Sequence, residues 1–246
     1  MKKTGLILAM LTFVIAAAGQ TCHVKSIVSI DAGCNAYLVV TDAGSVLVDA
    51  GSHHKMKAFD RAIQKAGVSY KDIRYIVITH THYDHVINLA EIREVSNAKI
   101  IVHEREKYYL ESGLTPLPAG MTSLGKLGIW VTRNFRKSKT IAIPAVPDIV
   151  INKPYIIPGF GFTIIPTPGH SEGSISMIIN DSVCFCGDAA FAVSGKNLMP
   201  VTGDSKTGII SSWELLLAMG IKQFYPGHGK PFGASDLQKS VEKNKK

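Results

Sequence analysis

Hydrophobic and polar positions alternate in short runs from Val24 to Asp49. Val24–Ile30, Tyr37–Thr41 and Val46–Asp49 are β-rich runs, separated by the turn signals Asp31-Ala32-Gly33 and Asp42-Ala43-Gly44. The period then lengthens. Lys55–Ala66 has helical composition and stops at Gly67. Ile73–Thr79 is a β-branched run, Val86–Val95 predicts a helix, Lys99–Val102 a strand and Glu104–Glu111 another helix. Gly113–Pro154 differs in character, with Pro116, Pro118, Pro144 and Pro147 around a predicted helix, Thr122–Arg136. Strands are predicted at Phe162–Pro166, Ser174–Ile179, Val183–Cys186 and Gln223–Tyr225, and helices at Ile209–Met219 and Ala234–Glu242. This order implies two sheets packed face to face with helices outside. The pattern alone separates neither α/β from α+β.

Composition narrows the class. Of 246 residues, 46% are hydrophobic and 19% charged, which supports a substantial core and excludes a disordered chain. Lys2 and Lys3 precede the uncharged run Gly5–Ala18, which ends in Ala16-Ala17-Ala18. That is the pattern of a secretory signal peptide, and the run is short for a membrane span. Residues 1–18 are therefore expected to be a leader and 19–246 one domain, exported to the periplasm or secreted. Loss of the two lysines lowers the formal charge from +8 to +6. Without aromatic interleaving or a nucleic-acid motif, the basic excess reads as solvated charge, and nucleic acid is not an expected partner. In an oxidising compartment Cys22 and Cys34, which flank a predicted strand, are candidates for a disulfide. Cys184 and Cys186 alternate on one strand face, and no C-x-x-C pair exists for a zinc ribbon.

The candidate chemistry lies in histidines. Thr79-His80-Thr81-His82-Tyr83-Asp84-His85 follows one β-rich run, Thr167-Pro168-Gly169-His170 a second, and Tyr225-Pro226-Gly227-His228-Gly229 a third. Between the last two stands Gly187-Asp188. Imidazole and carboxylate suit zinc, and also iron or manganese. In an extended segment His80 and His82 point the same way and can hold one metal, while Asp84 and His85, past the bend, can reach another. Crowding three imidazoles and a carboxylate into six residues has no packing purpose, so a cation is the expected occupant. His23, His53, His54 and His103 stand alone and read as ordinary surface or core residues.

Residues 24–235 resemble the metallo-β-lactamase superfamily, specifically its glyoxalase II-like hydrolases. The resemblance rests on Val48-Asp49-Ala50-Gly51, the H-x-H-x-D-H run His80–His85, Thr167–His170, Gly187-Asp188 and Gly227-His228-Gly229, in the family's order. It implies an α+β, four-layer αβ/βα sandwich of two mixed sheets. It also implies two zinc ions, one held by His80, His82 and His170 and the other by Asp84, His85 and His228. Asp188 would bridge them opposite a hydroxide, Asp84 would steer a proton to the leaving group, and Asp49 would support the ligand loop. Three departures stand out. Val86-Ile87-Asn88 replaces a common Gly-Gly pair, His85 to His170 spans a longer gap than in glyoxalase II because of Gly113–Pro154, and only eighteen residues follow His228, too few for a glutathione-binding helical domain.

The implied activity is hydrolysis of a small-molecule ester, thioester or lactone by a metal-bridging hydroxide. A secreted β-lactamase is the nearest alternative, although lactamases with a histidine at the His85 position generally lack a bridging carboxylate. A phosphodiesterase or nuclease and a di-iron redox module are more remote, since the extra domains those proteins carry have no room here. The segment 113–154 reads as an insertion. Met121, Leu124, Leu127, Val131 and Phe135 recur at helical spacing beside Trp130, with Lys126, Arg133, Arg136 and Lys137 on a basic side. This helix is expected either to pack on the sandwich, or to serve as a lid over the metals with peripheral membrane contact.

Overall fold

The computed structural model describes residues 22–52, 56–135, 141–193 and 197–245. The expected leader, His53 and His54, and Arg136 and Lys137 lie outside the described residues. The first sheet has the order β1-β2-β3-β4-β5-β6, formed by Val24–Asp31, Asn35–Thr41, Gly44–Val48, Ile73–Val77, Lys99–His103 and Ile149–Ile151. β1 to β3 form an antiparallel meander, whereas β3 to β6 run parallel. Helix α1 (Met56–Ala66) connects β3 to β4, and α2 (Tyr83–Val86) and α3 (Leu89–Ser96) connect β4 to β5. Parallel pairing needs such crossovers.

The second sheet has the order β12-β11-β10-β9-β8-β7. Its strands are β7 (Tyr155–Ile156), β8 (Thr163–Pro166), β9 (Ile175–Ile179), β10 (Val183–Ala192), β11 (Gln223–Gly229) and β12 (Phe232–Gly233). All pair antiparallel except β10 with β11. Helices α4 (Glu104–Ser112) and α5 (Ser123–Phe135) lie between β5 and β6, α6 (Lys206–Ala218) precedes β11, and α7 (Ala234–Asn244) ends the chain.

The period-two alternation sorts side chains into three apolar layers. Tyr37, Val39, Val46, Val48 and Val77 turn inward and meet Phe162, Ile164, Met177 and Phe185 of the second sheet. Their neighbours Leu38, Val40 and Leu47 turn outward onto Phe59 of α1 and Leu89 and Ile92 of α3. On the far side Cys184, Cys186 and Phe224 pack under Trp213 and Leu216 of α6 and Leu237 of α7. The result is the expected helix–sheet–sheet–helix sandwich, with two mixed sheets.

Three expectations are corrected. The helix expected over Val86–Val95 is two helices that part at Asn88, whose side-chain amide donates to the carbonyls of Ala50 (2.7 Å) and Ser52 (2.8 Å). Val183–Cys186 and Gln223–Tyr225 are only the first halves of β10 and β11, so Asp188 and His228 sit in strands rather than loops. The Cys22–Cys34 disulfide does not form. All four cysteines are free, and the eight residues of β1 hold the Cys22 and Cys34 thiols beyond its opposite ends. The Cys22 thiol donates to the Phe160 carbonyl, while Cys34 is buried beside His85.

Helix α5 forms where expected but buries none of its large apolar residues. Leu124, Leu127, Trp130 and Phe135 are 71, 57, 56 and 73% exposed. The helix touches the body through Gly125, where a Cβ would lie 2.0 Å from the Val201 carbonyl oxygen. The two tryptophans therefore predict opposite outcomes. Trp213 is fully buried and donates to the Ala189 carbonyl (2.7 Å). Trp213→Ala should cost about 3–5 kcal/mol in urea unfolding, as cavity-forming aromatic truncations do. Trp130→Ala should change stability by less than about 0.5 kcal/mol. A large loss at Trp130 would show that α5 is packed as core.

Candidate metal centre

The ligand run is shaped by a change of backbone direction at His82. Ile78 still pairs with β5 through its N–H to the Ile101 carbonyl (3.0 Å), so His80 continues the strand direction. His82 is extended (φ −64°, ψ 151°) and caps α2, whose first turn carries Asp84 and His85. His80 and His82 thus face one point and Asp84 and His85 the next. His170 follows β8, and its chain partner loop returns to it, since the Thr202 carbonyl accepts from His170 Nδ1 at 3.0 Å. The pairing of β10 with β11 shifts register on both sides of Gly187, a bulge that aims Asp188 between the sheets. Gly227 lets β11 close over this point, because a Cβ there would lie 2.2 Å from Asp188 Oδ1.

All seven predicted residues come together. His82 Nδ1 lies 2.9 Å from His170 Nε2. An Asp188 oxygen is 3.3 Å from His170 Nε2, 3.4 Å from His85 Nε2, 3.5 Å from His228 Nε2 and 3.9 Å from His80 Nε2. Asp84 is 3.1 Å from His228 Nε2 and 3.9 Å from His85 Nε2. Among the described residues three overlapping groups have ligand atoms within 4.8 Å of one another, namely His80-His82-His170, His80-His85-Asp188 and Asp84-His85-His228. The Asp84 and His228 side chains are 35 and 24% exposed, which marks the open edge. The other five residues are buried.

The outer hydrogen bonds decide which nitrogens face inward. A carbonyl only accepts, so His170 Nδ1 carries the proton and its Nε2 presents a lone pair. Asp49 accepts from His85 Nδ1 (2.8 Å), from the Thr79 N–H (2.8 Å) and from the Thr79 hydroxyl (2.8 and 3.0 Å). The Thr79 hydroxyl proton is thereby committed, so its oxygen accepts from His80 Nδ1 at 3.1 Å. His80 Nε2 and His85 Nε2, with Asp188 Oδ1, are left buried and without a hydrogen-bond partner. Buried polar atoms are rarely left so. Inward lone pairs converging beside a buried carboxylate fit a cation, with carboxylate and carbonyl groups orienting the imidazoles behind them.

Electrostatics agree. Burial, and then neighbouring imidazoles, hold His80 well below its ordinary value and His82 down to about 3. Burial likewise lowers His170. At the other end burial opposes charge but is outweighed. Asp188 and Asp84 raise His228 to about 10, and Cys34, Asp188 and Asp49 raise His85 well above its ordinary value. Against burial, His228 and His85 draw Asp188 well below the carboxylate range, and His85 and His228 take Asp84 to about 2. The carboxylate side therefore demands positive charge, which protons on His85 and His228 or a cation can supply.

Comparison with known proteins places this geometry. The model of the metallo-beta-lactamase superfamily matches residues 30–228. The chain belongs to that superfamily. It is 33% identical over 208 residues to a "Probable metallo-hydrolase" of Streptococcus pyogenes, covering 80% of each chain. In structure it resembles the BLEG-1 B3 metallo-beta-lactamase, with a TM-score of 0.67 and 21% identity over 89% of this chain and 98% of that one. It also resembles a protein crystallised in a di-iron-bound form, with a TM-score of 0.65 and 23% identity over 87% of this chain and 98% of that one. Both likenesses show the fold.

Four residues that hold this superfamily site in place have no signature in the sequence. Asn35 donates to the Pro226 and Gly229 carbonyls (2.9 and 2.7 Å) and Tyr37 to Pro226 (2.7 Å), tying the His228 segment to the first sheet. Asn88 ties α3 to the Asp49–Ser52 turn. Glu106, 2% exposed on α4, accepts from the Thr81 N–H (3.1 Å) and hydroxyl and from the Ser171 hydroxyl (2.6 Å). It thereby joins the residue between His80 and His82 to the residue after His170. Only the folded chain brings these partners together; a lone glutamate on an amphipathic helix gives no hint of it. His103, by contrast, accepts from the Arg105 N–H and stands apart from the cluster, as expected.

Glu106→Ala should weaken metal binding ~10–100-fold, the usual cost of losing an outer hydrogen bond in a metal site. Glu106→Gln, which keeps one acceptor oxygen, should recover part of it. Chelator competition measures both. Unchanged affinity in Glu106→Ala, with lower thermal stability alone, would make Glu106 a purely structural residue.

Proposed function

We propose that this metallo-hydrolase holds two divalent cations and hydrolyses a small ester, thioester or lactone. The observation that supports it best is the set of partnerless, inward-facing atoms, His80 Nε2, His85 Nε2 and Asp188 Oδ1, at the junction of the three candidate groups. On this reading His80, His82 and His170 hold one cation, Asp84, His85 and His228 hold the other, and Asp188 is shared. Zinc suits the nitrogen-rich set, and iron fits the same donors. When bound, such cations supply Lewis acidity, polarising a carbonyl and lowering the pKa of water.

The chain's own residues supply the rest. Asp84, which would be a ligand, has its carboxylate at the exposed edge, 3.1 Å from His228, where it could receive a proton from the attacking water and pass it to a leaving alcohol or thiol. Asp49, through His85 and Thr79, keeps the two imidazoles in the tautomer that faces inward. Phe191 walls the site, with its ring centre 4.8 Å from that of His228 and 6.0 Å from that of His170. Beside His82 opens a cavity of about 350 Å³ lined by Arg105, Tyr109, Pro116, Leu117 and Asp204. Its size suits a small organic substrate, and its mixed apolar and charged lining can orient one.

The reading is tested by screening zinc-loaded protein against lactones, thioesters, phosphodiesters and a chromogenic cephalosporin. Turnover of lactones or thioesters above the other two classes is expected, with a loss of at least ~100-fold in Asp188→Ala alongside a reduced metal content. Preferential turnover of the cephalosporin would favour a β-lactamase, and full activity of Asp188→Ala with one metal would end the dinuclear reading.

A further inference from the structure

Helix α5 faces the wrong way for a core helix. Its inner side is Gly125 against the Val201 backbone, followed four and seven residues on by the half-buried Ile129 and Thr132. On the opposite arc Leu124, Leu127, Trp130 and Phe135 stand in solvent, with Trp130 and Phe135 in edge contact at 5.8 Å between ring centres. Lys126 and Arg133, seven residues apart and both exposed, share one flank of that arc. The wider segment 113–147 contains Lys126, Arg133, Arg136, Lys137 and Lys139 and no aspartate or glutamate. An apolar arc of this size left in water marks a contact surface.

We infer that this face of α5 docks on an anionic phospholipid bilayer. A basic amphipathic helix lying in the interface buries its leucines and aromatic rings at the acyl boundary and sets its cations among the headgroups. Tryptophan, with an apolar body and a polar N–H, suits that depth. A second copy of this chain is the poorer occupant, because a twofold contact through this face would bring two basic flanks together. With thirteen residues α5 is too short to span a bilayer and would lie in its interface. Docking also has a consequence for the metal centre. Gly120 pairs with Thr202, and the Met121 N–H donates to the Val201 carbonyl (2.9 Å). The same loop holds His170 through the Thr202 carbonyl. A docked α5 therefore sets the loop of one ligand close to the lipid surface.

The fold contains its own probe. Trp213 is fully buried, so a change in tryptophan emission on adding lipid reports Trp130. With phosphatidylglycerol/phosphatidylcholine vesicles the emission of the full chain should shift to the blue and the protein should sediment with the lipid. Phosphatidylcholine alone, or high salt, should abolish the shift. Leu127→Glu should remove it without altering thermal stability, and Lys126→Gln with Arg133→Gln should weaken partitioning ~10-fold. Any lipid affinity of residues 1–18 is common to the wild type and these variants. A chain that neither shifts nor sediments with anionic vesicles overturns the inference. So does a blue shift that follows protein concentration without lipid, with a dimer in sedimentation velocity, which would make this face a contact between copies.

Discussion

The structure is organised around four buried imidazoles and one buried carboxylate that cannot stay together uncompensated. Desolvated charge of this kind costs several kcal/mol per group unless an opposite charge or a full set of hydrogen bonds accompanies it. Here the hydrogen bonds are spent on the outside of the rings. Thr202, Asp49 and Thr79 accept hydrogen bonds from the Nδ1 atoms of His170, His85 and His80, which leaves the Nε2 atoms facing Asp188. What remains inside is a cluster of donors in need of a cation.

Much of the surrounding fold can be read as the means of holding that cluster. The positive φ of Asp49 (61°) places its carboxylate where it reaches both Thr79 and His85, and Asn88 braces the same turn. Glu106 fixes the distance between the loops of His82 and His170, and Asn35 and Tyr37 fix the His228 segment across the sandwich. The ligands thus come from both sheets, while each sheet is clamped by its own helix layer. Sites on rigid elements of this kind hold a geometry that loops alone would lose.

The parts legible in the sequence are those with a local signal. Strand alternation in β1 to β3, the helical runs of α1, α4 and α6, and the H-x-H-x-D-H crowding all follow from neighbouring residues. The elements that escaped are stabilised from a distance. β6, β7 and β12 are two or three residues long and exist only through pairing. The far halves of β10 and β11 read as loops because Gly187, Pro226, Gly227 and Gly229 mimic turns, yet they pair in parallel across a bulge. The Cys22–Cys34 pairing failed because proximity in sequence is not proximity along an extended strand. Helix α5 shows the converse, since its periodicity was correctly legible while the side that faces the body was not.

Whatever occupies the space between the His80, His85 and His170 Nε2 atoms and Asp188 decides the chemistry of this protein. Anomalous diffraction at the zinc edge from zinc-loaded crystals tests it most directly. Two anomalous peaks are expected, one among His80, His82 and His170 and one among Asp84, His85 and His228, with Asp188 between them. A map with no peak in this cluster, or with the rings turned so that their Nδ1 atoms face inward at His80 and His85, would contradict it.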